Sequence, residues 1–191
     1  MRTSFVPALL TVACGALAGA AAAAPATYEI DPQHTYPSFE ADHMGGMSVW
    51  RGKINSSAGK IVLDKQAGTG TVDVTMDMKT IDFGINELNA HAQTADIFDV
   101  AKYPTATYTG KLAKFQNGAP TEVDGTLTLH GVSKTITLPF ALVFSGDSAH
   151  MTGKTVVLRT DFALGKGEWA SASTIAHEVA ITVDLTATKS H

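Results

Sequence analysis

Apolar and polar residues alternate with a period of two along nearly the whole chain beyond its first 25 residues. This alternation is typical of strands with one buried and one solvated face, as in antiparallel sheets. In chain order, the predicted inward positions are Ile61 and Leu63; Val72, Val74, Met76 and Met78; Leu127 and Leu129; Ile136, Leu138, Phe140, Leu142 and Phe144; Val156, Leu158 and Phe162; and Val179, Ile181, Val183 and Leu185. Thr155, Arg159 and Asp161 are predicted to face outward, opposite Val156 and Leu158. The pattern predicts an all-β protein.

Turn-forming residues separate the predicted strands. Clusters of Gly, Pro, Asn, Ser and Asp occur at residues 68–70, 117–120, 130–134 and 145–147. Residues 86–95 break the alternation, because they are rich in helix formers and carry no β-branched residue except Thr94. We expect a short helical insert between strands there.

So many half-apolar strands must pack as a sandwich or close into a barrel. A barrel of eight strands is either filled by its own side chains or able to hold one small ligand. The two tryptophans of the chain, Trp50 and Trp169, are available to plug such an interior. Alternation alone does not distinguish a filled barrel from a hollow one.

The first 24 residues have the layout of a secretory signal peptide, with one positive charge, an apolar stretch and small residues at the end. Ala-x-Ala patterns place the expected cleavage near Ala23 or Ala24. A membrane anchor or a lipoprotein site at Cys14 is disfavoured, since no cluster of positive charges follows and the residues before the cysteine match poorly. We therefore divide the chain into a signal peptide, 1–24, and one exported domain, 25–191.

Composition narrows the classes of function. The formal net charge is −4, from 14 Lys and Arg against 18 Asp and Glu, and no long basic run occurs. This balance argues against a nucleic-acid-binding protein. Because the single cysteine lies in the predicted leader, the exported domain would have no disulfide and must rely on a hydrophobic core.

Motifs for catalysis are missing from the sequence. The seven histidines form no HExxH zinc motif, and no Gly-x-Ser-x-Gly nucleophile motif occurs. We therefore expect no catalytic residues, no metal and no cofactor. Arg51 and Arg159 could hold a lipid phosphate, but ion pairs at the surface are expected for both. An exported enzyme, including a metal-dependent one, and a solidly packed interaction protein are the alternatives to a binding protein.

Several strings of residues occur together in a known family. The most specific are Phe-Asp-Val-Ala-Lys-Tyr-Pro at 98–104 and Gly-Thr-Leu-Thr-Leu-His-Gly-Val-Ser-Lys at 125–134. Supporting strings lie at 28–31, 38–45, 51–53, 81–82, 159–162 and 178–179. In their order and spacing these strings resemble the YceI family of lipocalin-like, polyisoprenoid-binding proteins over residues 27–187.

The resemblance implies an extended eight-stranded antiparallel lipocalin-like barrel, exported to the periplasm. It implies that the interior binds a long-chain isoprenoid or a similar apolar lipid, such as an isoprenoid quinone, as a ligand of a carrier or sequestering protein. It also implies a homodimer and no enzymatic activity, and it leaves transient membrane contact open. Many relatives carry Asp-x-His-Leu where this chain has Asn-Ala-His-Ala at 89–92, so we expect a change in what the helical insert covers.

Candidate ligand-binding residues follow from the parity of the strands, and each apolar one has plain core packing as its alternative. They are Phe39, His43, Met44, Trp50, Val74, Met76, Phe98, Tyr108, Leu127, Leu129, Leu138, Phe140, Phe162, Val179 and Ile181. Phe39, Met76, Tyr108 and Phe140 are the strongest candidates. His43 shares the inward parity of Phe39, and a buried imidazole needs a hydrogen-bond partner. Contact with a lipid head group and a response to pH are the two roles open to it.

Overall fold

The computed structural model describes residues 24–191, so the predicted signal peptide, apart from Ala24, lies outside the described residues. The described part of the chain forms eleven strands and one α-helix. The strands are β1 (Ala26–Thr35), β2 (Ser38–His43), β3 (Ser48–Ile54), β4 (Ser57–Asp64), β5 (Thr69–Asp77), β6 (Ile81–Asp82), β7 (Thr105–Ala113), β8 (Glu122–Leu129), β9 (Val132–Ser145), β10 (Ser148–Leu158) and β11 (Glu178–Lys189). Helix α1 spans Asn86–Ala92, and 3₁₀ helices span Met78–Thr80, Arg159–Phe162 and Gly167–Ala170.

The sheet closes on itself. Its strand order is β1-β4-β5-β7-β8-β9-β10-β11, and β1 pairs in turn with β11, so that eight antiparallel strands form a ring. Strands β2, β3 and β6 continue the sheet from β11. Since Ser38 pairs with Thr182 just beyond the pair of Thr35 with Leu185, β2 prolongs the wall that β1 begins. The predicted eight-stranded antiparallel barrel is confirmed.

The two ends of the barrel are built differently. At one end, which we call the turn end, residues 65–68, 114–121 and 146–147 connect neighbouring strands. At the other, the helix end, lie α1 with the residues that follow it and the long connection 163–177. Backbone hydrogen bonds join these segments, because the Lys166 N–H donates to the Asp96 carbonyl at 2.9 Å. Connections replace strand ladders at the helix end.

The helical insert is confirmed and is shorter than predicted. Helix α1 ends at Ala92, and Gln93 follows it as the C-cap. Within the helix, Ala92 is fully buried against Ile54 and Met78. The alanine at this position therefore packs against the barrel, and the helix is held by this contact rather than by a side-chain N-cap.

The predicted register of β10 is wrong by one residue. Val156 and Leu158 are 57% and 42% exposed, whereas Thr155 and Val157 face the interior. Two consecutive valines satisfy either register, and a slip of one residue exchanges the faces of a strand. Phe162 is nevertheless buried, because the chain turns into a 3₁₀ helix after the strand ends.

Candidate functional site

A cavity of about 270 Å³ runs through the interior of the barrel. Tyr28 and Phe144 line it toward the turn end, and Trp50, Leu88 and Trp169 line it toward the helix end. Its wall is almost entirely hydrocarbon and aromatic carbon. Since it extends over most of the barrel length and is small in volume, the cavity is long and narrow. The interior is hollow, and its shape and chemistry match a single apolar chain.

Strand β9 shows how the sequence builds this wall. Its five predicted inward positions, from Ile136 to Phe144, all line the cavity. Ile136 and Phe144 are about 27 Å apart along the strand, at 3.4 Å per residue. The alternation therefore predicts a continuous apolar strip along one side of the cavity.

Of the fifteen candidate residues, thirteen line the cavity. They are Phe39, Trp50, Val74, Met76, Phe98, Tyr108, Leu127, Leu129, Leu138, Phe140, Phe162, Val179 and Ile181. Their contact with a ligand stays a prediction. Met76 is central among them, since it packs against all three hydrophobic clusters of the barrel.

Met44 does not line the cavity, and its predicted placement is wrong. Its side chain is 53% exposed. The strand ends at His43, and Met44 begins a turn with a φ of 53°, in the left-handed region. Because the chain leaves the sheet here, the parity of the strand no longer applies.

His43 lies behind the cavity wall rather than on it. Its ring stacks on Trp50 with centroids 4.7 Å apart, and its Nδ1 is 2.9 Å from the Ser48 hydroxyl. Trp50 in turn contacts Trp169, at 5.5 Å between ring centroids, and Trp169 contacts His91 at 5.0 Å. We call His43, Trp50, Trp169 and His91 the aromatic row. It ties two strands to the 163–177 connection and to α1.

Arg159 is buried at the helix end, so its predicted surface ion pair is wrong. Only 6% of the residue is exposed, and it lines the cavity. Its guanidinium donates to the carbonyls of Leu164 (2.9 Å), Ile175 (2.9 Å) and Ala176 (3.0 Å), with longer bonds to Ala170 and Ser171. Burial lowers the pKa of Arg159, but an arginine stays charged in proteins. This one side chain thus gathers the carbonyls of the connection that covers the helix end.

Arg51 behaves as expected, because it forms an exposed ion pair with Glu40 at 3.2 Å. The two arginines have similar sequence surroundings, rich in polar and β-branched residues. Only the change from strand to 3₁₀ helix at Arg159 turns that side chain inward.

Tyr108 lies flat against the barrel wall. A Cβ on Gly125 would lie 2.5 Å from the Tyr108 Cζ, so the glycine leaves room for the ring. The hydroxyl lies 2.9 Å from the Ile136 carbonyl and 3.2 Å from the Val123 carbonyl, to either of which it donates. With the ring held to the wall, the cavity stays open beside it.

Tyr108 is expected to ionise last among the four tyrosines. Burial raises its pKa to about 12 from an ordinary value of 10. The neutral phenol therefore stabilises the fold fully below pH 10, and this contribution is lost as pH rises toward 12. Titration of phenolate absorbance in the native protein checks this, and Tyr108→Phe should remove the highest step. If the highest step survives in Tyr108→Phe, the assignment is contradicted.

Sequence reasoning missed the lining residues that lie outside regular strands. They include Leu88, Ile97, Leu164 and Ile175. Alternation does not report on such segments. The available signal was the presence of isolated apolar side chains in polar, non-alternating stretches.

The described residues contain no cluster of three or more His, Cys, Asp or Glu placed to hold a metal ion. Residues 24–191 also include no helix with the length and apolar character to cross a membrane.

Comparisons with known proteins match this geometry. The sequence model of the YceI-like domain matches residues 28–187. Protein YceI of Escherichia coli O6:H1 is 33% identical over 131 residues, which cover 68% of each chain. The crystal structure of Burkholderia cenocepacia BcnA superposes with a TM-score of 0.74 at 26% identity, over 83% of this chain and 99% of that one. A polyisoprenoid binding domain from Saccharophagus degradans shares the fold, with a TM-score of 0.66 at 17% identity, over 85% of this chain and 98% of that domain.

Proposed function

Because the chain belongs to the YceI-like family, we propose that it binds one long-chain isoprenoid or similar apolar lipid inside the barrel. The observation that carries the proposal is the long cavity with a wall of carbon. The polyisoprenoid binding domain of Saccharophagus degradans has the same fold and supports this class of ligand. We further propose that the protein acts in the periplasm as a carrier or sequestering protein, that it is a homodimer, and that an isoprenoid quinone is one such lipid.

Apolar burial is sufficient to hold such a ligand. Each methylene removed from water contributes about 0.8 kcal/mol. Ten to twenty buried methylenes therefore exceed the cost of association, which is about 4–15 kcal/mol. Polar contacts are not needed for affinity, and the ligand is selected by its width and length.

A membrane solvates the same chain as well as the protein does, so exchange between them is close to balanced in free energy. Such a balance suits a carrier, which must both load and release its ligand. Met76 and the aromatic residues of the wall can adjust to a flexible chain.

The helix end is the end at which a ligand would enter. At the turn end, strand ladders continue to the turns, with Ser145 paired to Ser148 and Asp64 paired to Thr69. At the helix end, the 163–177 connection is held by side-chain bonds from Arg159 and a few backbone bonds. Displacing that connection leaves the barrel ladders intact, so opening there costs less.

Native mass spectrometry of protein recovered from the periplasm tests the proposal. We expect a non-covalent ligand of the mass of an apolar lipid, which organic solvent extracts. The same spectrum reports the oligomeric state and therefore tests the homodimer. Protein that carries no extractable lipid and takes up none from liposomes would contradict the proposed function.

Replacing Phe140 with alanine is expected to weaken lipid retention more than folding. Phe140 lines the cavity and is only partly buried by protein atoms. Losing its contact area should reduce retained lipid about tenfold or more, at about 1.5–3 kcal/mol for a large apolar side chain. Lipid content by mass spectrometry and urea unfolding are measured on the same preparation. Unchanged lipid content with a collapse in stability would show that Phe140 is core.

A further inference from the structure

Phe144 fills the side of the barrel at the turn end. It is the last inward residue of β9 before the turn. Its register partner on β10 is Ala149, and Ala149 pairs with Ala187 on β11. Two neighbouring alanines leave space that neither strand fills, and the Phe144 ring occupies this level of the wall.

The two faces of the Phe144 environment differ sharply. Tyr28 lies on the cavity side with its ring centroid 6.0 Å away, and both rings line the cavity. The ammonium of Lys65, an exposed residue of the 65–68 turn, lies over the ring at 3.7 Å from its centroid. The ring thus separates an apolar cavity from a hydrated cation, in a cation–π contact.

We propose that Phe144 is the end stop of the cavity and sets the longest chain that the protein accepts. This inference rests on the proposed function and adds its specificity. A chain that ends at Phe144 gains affinity with each methylene. A longer chain would have to displace the ring and strip water from the Lys65 ammonium, which costs more than the added methylene contributes.

A series of primary n-alkanols from decanol to docosanol tests the end stop. The two tryptophans both line the helix end, so tryptophan emission reports binding. In the wild-type protein, affinity should rise by about fourfold per methylene and then level off at a limiting length. In Phe144→Ala, the limit should move to a chain longer by two or more methylenes.

Phe140→Ala is the matched control. Phe140 lies on the same strand and the same face and also lines the cavity. The same atoms are removed, but from the middle of the wall, so affinity should fall for every chain while the limiting length stays constant. Lys65→Met should also leave the limit in place, since the ring remains.

Phe144→Leu guards against a variant that does not fold, and it should give a limit between those of the wild type and Phe144→Ala. An unchanged limit in both folded Phe144 variants overturns the end stop while leaving the proposed function intact. A longer limit in Lys65→Met would also overturn it, because the cation rather than the ring would then be the stop. If the wild-type protein binds none of the alkanols, the proposed function itself fails.

Discussion

Replacing Arg159 with methionine is expected to lower the free energy of unfolding by about 3 kcal/mol or more. The substitution removes three hydrogen bonds of 2.9–3.0 Å from a charged donor. Bonds to charged groups contribute about 1.5–3 kcal/mol each, although the freed carbonyls recover part of this by binding water. Because those carbonyls belong to the 163–177 connection, its amides should exchange faster with solvent than those of the barrel strands. Urea unfolding and hydrogen exchange measure both effects.

Arg51→Met is the matched control. Arg51 is exposed and pairs with Glu40, so its loss should cost less than about 1 kcal/mol. Arg159→Lys keeps the charge but loses the planar fork of donors, and we expect an intermediate result. If Arg159→Met unfolds at the same urea concentration as Arg51→Met, with unchanged exchange in the connection, Arg159 does not anchor the cover.

The effect should also reach the ligand. The connection carries Trp169, which lines the cavity and belongs to the aromatic row. Loosening the connection should speed the release of bound lipid without removing any contact in the middle of the wall. A faster release rate with an unchanged limiting chain length would separate the cover at the helix end from the stop at the turn end.

The barrel could be predicted from the sequence wherever a strand was long and clearly alternating. Strand β9 alternates over its whole length, and each of its inward positions lines the cavity. Period-two patterning carries this information because a strand has two faces and only one can be buried. The closed ring of eight strands came from the family resemblance, since alternation does not count strands around a barrel.

The failures occur where the chain leaves the sheet. Met44 and Arg159 each follow the last residue of a strand, and the backbone there adopts turn or 3₁₀ geometry. Parity then points a side chain to the wrong face. In β10, adjacent valines at 156 and 157 made two registers equally apolar, and tertiary pairing with β11 decided between them.

The second large effect is expected for Phe162→Ala, which should lower the free energy of unfolding by about 3–5 kcal/mol. Phe162 is 1% exposed and packs with Leu127 and Leu164 in one buried cluster. Its carbonyl also lies 3.0 Å from the Nδ1 of the buried His130, so the position is held by backbone as well as by side chain. Removing the ring leaves a void between packed atoms, which relax only partly.

Phe140→Ala removes the same atoms from a residue that already borders the cavity. Truncation there enlarges an existing space and loses contacts on one side only, so its cost should stay below about 2 kcal/mol. Urea unfolding of lipid-free protein compares the two variants directly. If both lose the same stability, the wall around the cavity is packed as firmly as the core, and the distinction between ligand-facing and structural phenylalanines fails. A larger loss for Phe162→Ala shows that the barrel is stabilised by residues behind the wall, which lets the wall itself remain adaptable to a chain.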